Sequence, residues 1–260
     1  MDTAEVRNPN TSSELKGETQ TDSLRTMSSY FDLIIIRSEA KDLACQMAKI
    51  FNHIERPIPV INGGSGSDEH PTQALLDMYT FERSFENLGG IDGKHIAFAG
   101  DLKRSRVVRS LLPLLDLYED VKLTLISPKS LRMDDEILSK LKNCSIREAD
   151  EIEDVVRIAD AFYITRVQDE WDVYQGESSR ICLEQYSIRK RHLDMMKETA
   201  IIMHPLPRRE EISPEIDSDH RAMYWRQVRN GMWIRVALIA AIFDLAPHIL
   251  AYDATRGTIQ

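Results

Sequence analysis

Four polar clusters in this sequence carry residue types that can grip a small anion, and each stands where an apolar run ends or a helix begins. They are Glu69-His70-Pro71-Thr72-Gln73, Gly100-Asp101-Leu102-Lys103-Arg104-Ser105-Arg106, Thr165-Arg166-Val167-Gln168 and His204-Pro205-Leu206-Pro207-Arg208. Ligands of open α/β sheets bind at the carboxyl ends of strands. The clusters therefore predict one crevice holding His70, Gln73, Arg106, Arg166 and Gln168. Guanidinium groups hold carboxylates and phosphates bidentately, and Arg106, in the first turn of a helix after a Gly-Asp turn, adds the attraction of the helix dipole. The set suits a small polyanion with a carbonyl to polarise. Taken singly, each residue has a plainer reading: a solvated strand-end arginine, a helix cap, a histidine with structural hydrogen bonds. Their placement in strand-end loops, the usual ligand sites, favours ligand contact.

Parallel strands must position these loops. Apolar runs predict strands at 33–36 (ending at Arg37), 59–62, 95–99, 121–126, 161–165 and 200–203, with a Gly/Ser loop at 63–67. Helices are expected from about 17 to 30, along the Leu43, Met47 and Ile50 face, from Pro71 onward, and at about 104–118, 133–142, 151–158, 180–197 and 220–245. Pro71 suits a first helical turn, where its missing N–H costs nothing. The βαβ rhythm implies an α/β fold of two doubly wound parallel sheets with helices on both faces. The first sheet has only two expected strands, so that domain reads as incomplete, with ladder groups on one edge lacking a neighbour. Residues 1–17 read as a flexible arm.

At 260 residues the chain is long enough for one or two domains. A net charge of −9 argues against a nucleic-acid partner, which needs clustered positive charge. The three cysteines, Cys45, Cys144 and Cys182, form no CxxC or zinc pattern. That predicts no metal and a reducing, cytoplasmic setting. No apolar run approaches a membrane span of roughly 20 residues, so no membrane partner is expected. The polar start of the chain has no signal core.

The four clusters closely resemble those of the aspartate carbamoyltransferase family, from about Asn10 to about Leu245. Asn10-Thr11-Ser12-Ser13-Glu14-Leu15-Lys16-Gly17-Glu18-Thr19 resembles the family's active-site loop, and Tyr224-Trp225-Arg226-Gln227 with Asn230-Gly231-Met232 resembles its final helix. The resemblance implies transfer of a carbamoyl group from carbamoyl phosphate to L-aspartate, giving N-carbamoyl-L-aspartate and phosphate, a step of pyrimidine biosynthesis that needs no cofactor. It implies Arg37, His70 and Gln73 as catalytic residues, with Gln73 holding the carbamoyl amide. Arg106, Arg166 and Gln168 would hold aspartate, and Leu206 and Pro207 would offer backbone carbonyls to its amine. Ser12 and Lys16 would reach into a neighbouring subunit's site, which implies a homotrimer or a mixed trimer with a full-length relative. The expected domains are residues 1–80 with the C-terminal helix from about 230 to 260 for carbamoyl phosphate, and 81–229 for aspartate.

The sequence also departs from the family. Its Ser-Thr-Arg-Thr-Arg segment, which cradles the phosphate, lies upstream of the Ser/Lys loop, and here nine residues precede Asn10. Ser38-Glu39 follows Arg37 where the family usually has His-Pro. Ala254-Thr255-Arg256-Gly257-Thr258 is similar to the cradle in composition, but it follows the final helix instead of opening one. The expectation is weak carbamoyl phosphate binding by this chain alone. Two alternatives to the family reaction stay open on the sequence. One is a repurposed enzyme acting on an amino-acid-like substrate; the other is a non-catalytic binding or regulatory subunit.

Overall fold

The computed structural model describes residues 17–174, 176 and 178–256. Ser12 and Lys16 lie outside the described residues. The chain packs as two units, Met1–Asp68 and Glu69–Gln260.

The first unit is built around two parallel strands. Helix α1 (Gln20–Ser28) is capped by Thr19, whose hydroxyl accepts the Asp22 N–H at 3.1 Å. Strand β1 (Ile34–Ser38), helix α2 (Leu43–Phe51) and strand β2 (Val60–Ser65) follow. Ile34 and Ile36 turn into a small core with Leu43, Met47, Phe51 and Ile58, while Ile35, on the other face of the strand, is 57% exposed. Strand β2 runs through Gly63, Gly64 and Ser65, where a loop was expected. The reason is local: a Cβ on Gly63 would stand 3.3 Å from the Ile36 carbonyl oxygen, so the glycine lets the strand continue alongside β1.

The second unit holds a five-stranded parallel sheet in the order β5-β4-β3-β6-β7. Its elements are α3 (Pro71–Phe85), β3 (His95–Ala99), α4 (Arg106–Leu115), β4 (Lys122–Ile126), α5 (Asp135–Leu138), β5 (Ser145–Ala149), β6 (Ala161–Ile164), α6 (Lys190–Leu193), β7 (Ile201–Met203), α7 (Tyr224–Ile242) and α8 (Ala246–Arg256). Side chains alternate between two cores. Ile96, Phe98 and Tyr163 pack on one face with α3 and α4; Ala97, Ala99, Phe162 and Ile164 pack on the other. Burial on both faces explains why β3 and β6 read as unbroken apolar runs. The chain starts at β3 in the middle, moves out through β4 and β5, then returns to lay β6 and β7 on the other side. Direction reverses between β3 and β6, the point at which such sheets open a ligand crevice.

The expected helix at 180–197 is broken into short turns, of which α6 is the only α-helical piece. Ile188 is the cause. Its N–H donates to the Glu211 carbonyl at 2.8 Å and its carbonyl accepts from Ser213 N–H at 3.2 Å, so its backbone belongs to a strand-like bridge. The expected helices at 133–142 and 151–158 shorten to α5 and a single 3₁₀ turn at Ile152–Asp154. Residues 254–256 lie in α8, a further helix after α7, and they end that helix instead of opening one. Among the described residues no helix is long and apolar enough to cross a membrane.

Candidate active site

At the switch point the ends of β3 and β6 touch. Gly100 follows β3 with φ +113°, and a Cβ there would lie 2.0 Å from the Thr165 carbonyl oxygen. Only glycine permits this approach. Thr165 closes the contact from its side, donating its N–H (2.8 Å) and its hydroxyl (3.1 Å) to the Ala99 carbonyl. Next comes Asp101, fully buried, whose carboxylate accepts the Arg104 N–H and the Gln168 N–H, each at 3.1 Å. Burial pushes this carboxyl up, opposed by those two N–H groups and the nearby Arg104 charge. Arg104 Nη1 in turn donates to the Gln168 carbonyl (2.9 Å) and to Asp172 (2.8 Å). The backbone of Gln168 is thus held on both sides by the loop that follows β3.

Arg106 opens α4, with Ser105 as its cap accepting the Val108 N–H at 3.3 Å. One turn further on, Ser110 Oγ accepts the backbone N–H of His70 at 2.9 Å. Residues four apart share a helix face, so His70, the residue preceding α3, stands beside the face that carries Arg106. Gln73, in the first turn of α3, donates from Nε2 to Asp77 at 3.0 Å. After β6, the Arg166 guanidinium forms a two-point ion pair with Glu170, one bond at 2.8 Å, and donates to the Val167 carbonyl at 3.1 Å. That pairing raises Arg166 above, and holds Glu170 below, its ordinary range.

After β7 the chain turns at Leu206 (φ +55°), and the Leu206–Pro207 peptide is cis. His204 holds this turn. Its Nδ1 accepts the Leu206 N–H at 2.8 Å, so the ring proton sits on Nε2 and is donated to Glu211 at 2.8 Å. The His204 N–H donates to Gln227 of α7 at 3.0 Å. Burial raises the Glu211 carboxyl, but the bonds from His204 and the Arg209 N–H outweigh it and hold it low. Arg209 also pairs with Asp169 through two bonds (2.8 and 3.0 Å), tying the loop after β7 to the loop after β6. Both partners are half exposed, so this tie contributes at most about 1 kcal/mol. Arg208 pairs with Asp217 (2.7 Å) and lies over the rings of Tyr224 and Trp225.

The residues singled out from the sequence therefore divide. Arg106, Arg166 with Gln168, and Leu206 with Pro207 follow three adjacent strands, β3, β6 and β7, and His70 and Gln73 stand at the start of α3, which packs against α4. Arg37 is on β1 in the first unit, exposed, with Nη1 3.5 Å from the Gly63 carbonyl. Sequence reasoning passed over the groups that hold these side chains: Asp77, Asp101, Arg104, His204 and Glu211. Three of them, Asp101, Arg104 and His204, stood inside the motifs themselves, just after an apolar strand, and that position was the available signal.

Comparison with known proteins gives the family. The family model "Aspartate/ornithine carbamoyltransferase, Asp/Orn binding domain" matches residues 92–242, and the carbamoyl-P binding domain of the same family matches residues 1–83. The aspartate carbamoyltransferase catalytic subunit of Picrophilus torridus is 41% identical over 231 residues, which span 89% of this chain and 73% of that protein. Aspartate transcarbamoylase from Trypanosoma cruzi in complex with carbamoyl phosphate superposes with a TM-score of 0.80 at 35% identity, covering 90% of this chain and 73% of that one. The catalytic subunit of M. jannaschii aspartate transcarbamoylase gives 0.77 at 35% identity, covering 91% and 75%. These matches and the fold place the chain in the aspartate/ornithine carbamoyltransferase class. Within that class, the chain belongs to the aspartate carbamoyltransferase family.

Proposed function

We propose that this chain works in aspartate carbamoyl transfer and that its second unit binds L-aspartate. The amine of aspartate attacks the carbonyl carbon of carbamoyl phosphate. A C–N bond forms, the C–O bond to phosphate breaks, phosphate leaves with the electron pair, and the amine gives up a proton. The carbonyl oxygen carries negative charge in between, and fixed donors aimed at it lower the barrier. His70 takes that role, and for Arg37 we keep the same role on the resemblance. Gln73 holds the carbamoyl amide. Arg106, Arg166 and Gln168 hold the two carboxylates, and the carbonyls of Leu206 and Pro207 accept from the amine. The scheme uses no metal and no cofactor. Functionally, residues 1–80 with the helix from about 230 onward serve carbamoyl phosphate, and 81–229 serve aspartate.

The observation that carries this reading is the pair of loops at the β3/β6 switch point, cross-tied through Asp101 and carrying Arg106, Arg166 and Gln168. We further propose a homotrimer, or a mixed trimer with a full-length relative, in which Ser12 and Lys16 serve the neighbouring site. The three free cysteines favour a reducing, cytoplasmic setting. Titration calorimetry with aspartate, succinate, carbamoyl phosphate and N-phosphonoacetyl-aspartate tests the site. Saturable dicarboxylate binding that is lost in Arg106→Ala and Arg166→Ala is expected. Binding untouched by both substitutions would refute it. The 260 residues contain no Ser-Thr-Arg-Thr-Arg segment, so carbamoyl phosphate affinity is read separately, with and without a full-length relative. Sedimentation under the same two conditions reads the assembly, and a stable monomer in both would refute the trimer.

A further inference from the structure

We propose that Asp77 is a positioning residue for this reaction, fixing the carboxamide of Gln73 in one of its two flips from the buried seam between α3, β6 and α7. The inference rests on the reading that Gln73 holds the carbamoyl amide. Asp77 is fully buried, and three donors from three elements converge on it. Oδ1 accepts from Gln73 Nε2 (3.0 Å) and from Gln227 Nε2 (2.6 Å); Oδ2 accepts from the Tyr163 hydroxyl (2.6 Å). A carboxamide presents a donor end and an acceptor end that are nearly identical in shape. Turned the other way, Gln73 would set its oxygen against Oδ1, acceptor against acceptor. Asp77 therefore holds the nitrogen end inward, leaving Gln73 Oε1 and its second N–H for a ligand. A carbamoyl group carries the complement, an NH₂ donor beside a carbonyl acceptor.

The arrangement does not depend on the charge of Asp77. Burial pushes its carboxyl up to about 7, and the charged or titratable groups that act on it are Tyr163 of β6 and Arg235 of α7. When Asp77 takes a proton, the Tyr163 hydroxyl can rotate to accept it, while Gln227, whose own oxygen accepts the His204 N–H, keeps its N–H on Oδ1. The proton must then sit on Oδ2, and Oδ1 goes on accepting from Gln73. An asparagine at 77 can do the same, with its oxygen toward the two glutamines and its NH₂ toward Tyr163.

A double-mutant cycle on the full chain tests this. Gln73→Ala and Asp77→Ala should each lower kcat/KM for carbamoyl phosphate by about a hundredfold, with KM for aspartate little changed, and the double variant should be no more than about threefold worse than Gln73→Ala. Asp77→Asn should stay within about fivefold of the parent. Tyr163→Phe strips the same carboxylate of a donor on its other oxygen, so it should lower stability and leave kcat/KM unchanged. Effects that multiply in the cycle, or an Asp77→Asn variant as poor as Asp77→Ala, would overturn the positioning role while leaving that of Gln73 intact. A silent Gln73→Ala would overturn the Gln73 reading and this proposal with it. Should Asp77→Ala fail to fold or turnover be too slow to follow, the Gln73 side-chain amide signals decide in the parent chain by NMR. Two widely split protons, one protected from exchange with water, are expected; an averaged, freely exchanging pair would overturn the proposal.

Discussion

The two units present their arginines in opposite ways. In the second, every loop proposed to touch aspartate is fastened through its backbone by a buried polar group: Asp101 to Arg104 and Gln168, His204 to Leu206, and Glu211 to Arg209. In the first, Arg37 stands exposed on a strand that has one neighbour among the described residues, with the Gly63 carbonyl at 3.5 Å. The difference follows from the sheets. Strands β3 and β6 have neighbours on both sides and cores on both faces, so polar groups at their ends are desolvated and bind strongly to whatever faces them. Strand β1 is paired along one edge, and one face leaves Ile35 open.

Glycine substitutions should break the comparison most sharply. Gly100→Ala drives a Cβ to 2.0 Å from a carbonyl oxygen at a positive φ, and neither strand end can yield without opening the switch point. We expect a loss of about 4 kcal/mol or more, together with loss of dicarboxylate binding. In the first unit, Gly63→Ala meets the Ile36 carbonyl at 3.3 Å and the exposed Ile35 side chain at 3.4 Å, and both can give by tenths of an ångström. A cost near 1 kcal/mol is expected there. Urea denaturation of the two variants reads both, and equal costs would contradict the account of why the second unit is the rigid one.

The strands and motifs of the rigid unit were legible in the sequence because burial on both faces writes apolar runs such as His95–Ala99 and Ala161–Ile164. Strand β5 was missed: at the sheet edge it is mostly exposed, and Ser145, Arg147 and Glu148 give no apolar signal. The stretch 180–197 misled for the opposite reason. Ile188, His192 and Met196 are all buried at helical spacing, yet they come from separate turns gathered on one core. The buried carboxylates were the hardest to read. Asp77, Asp101 and Glu211 are residue types that usually face water, and Asp77 and Asp101 have partners far along the chain, 67 residues for Asp101 and Gln168 and 150 for Asp77 and Gln227.

Asp77 gives the second largest effect, in pH dependence. Its folded carboxyl titrates at about 7 against 3.8 when free, so between those values the folded chain keeps a proton that the unfolded chain has released. Stability must fall as pH rises through this window and level off above it. From pH 5 to 8 the parent should lose about 3 kcal/mol relative to Asp77→Asn, which has no proton to lose. Chemical denaturation of both proteins at the two pH values measures the gap; parallel losses would place the titration elsewhere.

Charge removal at the ligand should follow in size. Arg166 is positioned by its ion pair with Glu170 and opposes a carboxylate in the proposed complex. Arg166→Ala should weaken succinate binding by about a hundredfold, near 2.7 kcal/mol. Glu170→Gln should keep the positive charge but loosen its aim, and weaken binding by about tenfold or less. Calorimetry ranks the two, and a larger loss from Glu170→Gln would mean that orientation outweighs charge at this site.

The smallest expected effect is the one that separates the units. In the proposed reaction Arg37 acts on the carbamoyl oxygen, which succinate lacks. Gln168, Arg166 and Leu206, proposed to grip aspartate, are fastened within the second unit, through Asp101, Glu170 and His204. Arg37→Ala should therefore change succinate affinity by less than about twofold, under 0.4 kcal/mol. Against N-phosphonoacetyl-aspartate, which carries a carbonyl and a phosphonate as well, the same substitution should cost about tenfold or more, since a charged donor to a developing or partial negative charge is typically worth over 1.4 kcal/mol. The ratio of the two losses is the measurement that matters. If Arg37→Ala weakened succinate as much as the bisubstrate compound, dicarboxylate recognition would extend to Arg37, and the contrast between a prebuilt aspartate half and a sparsely held Arg37 would fail.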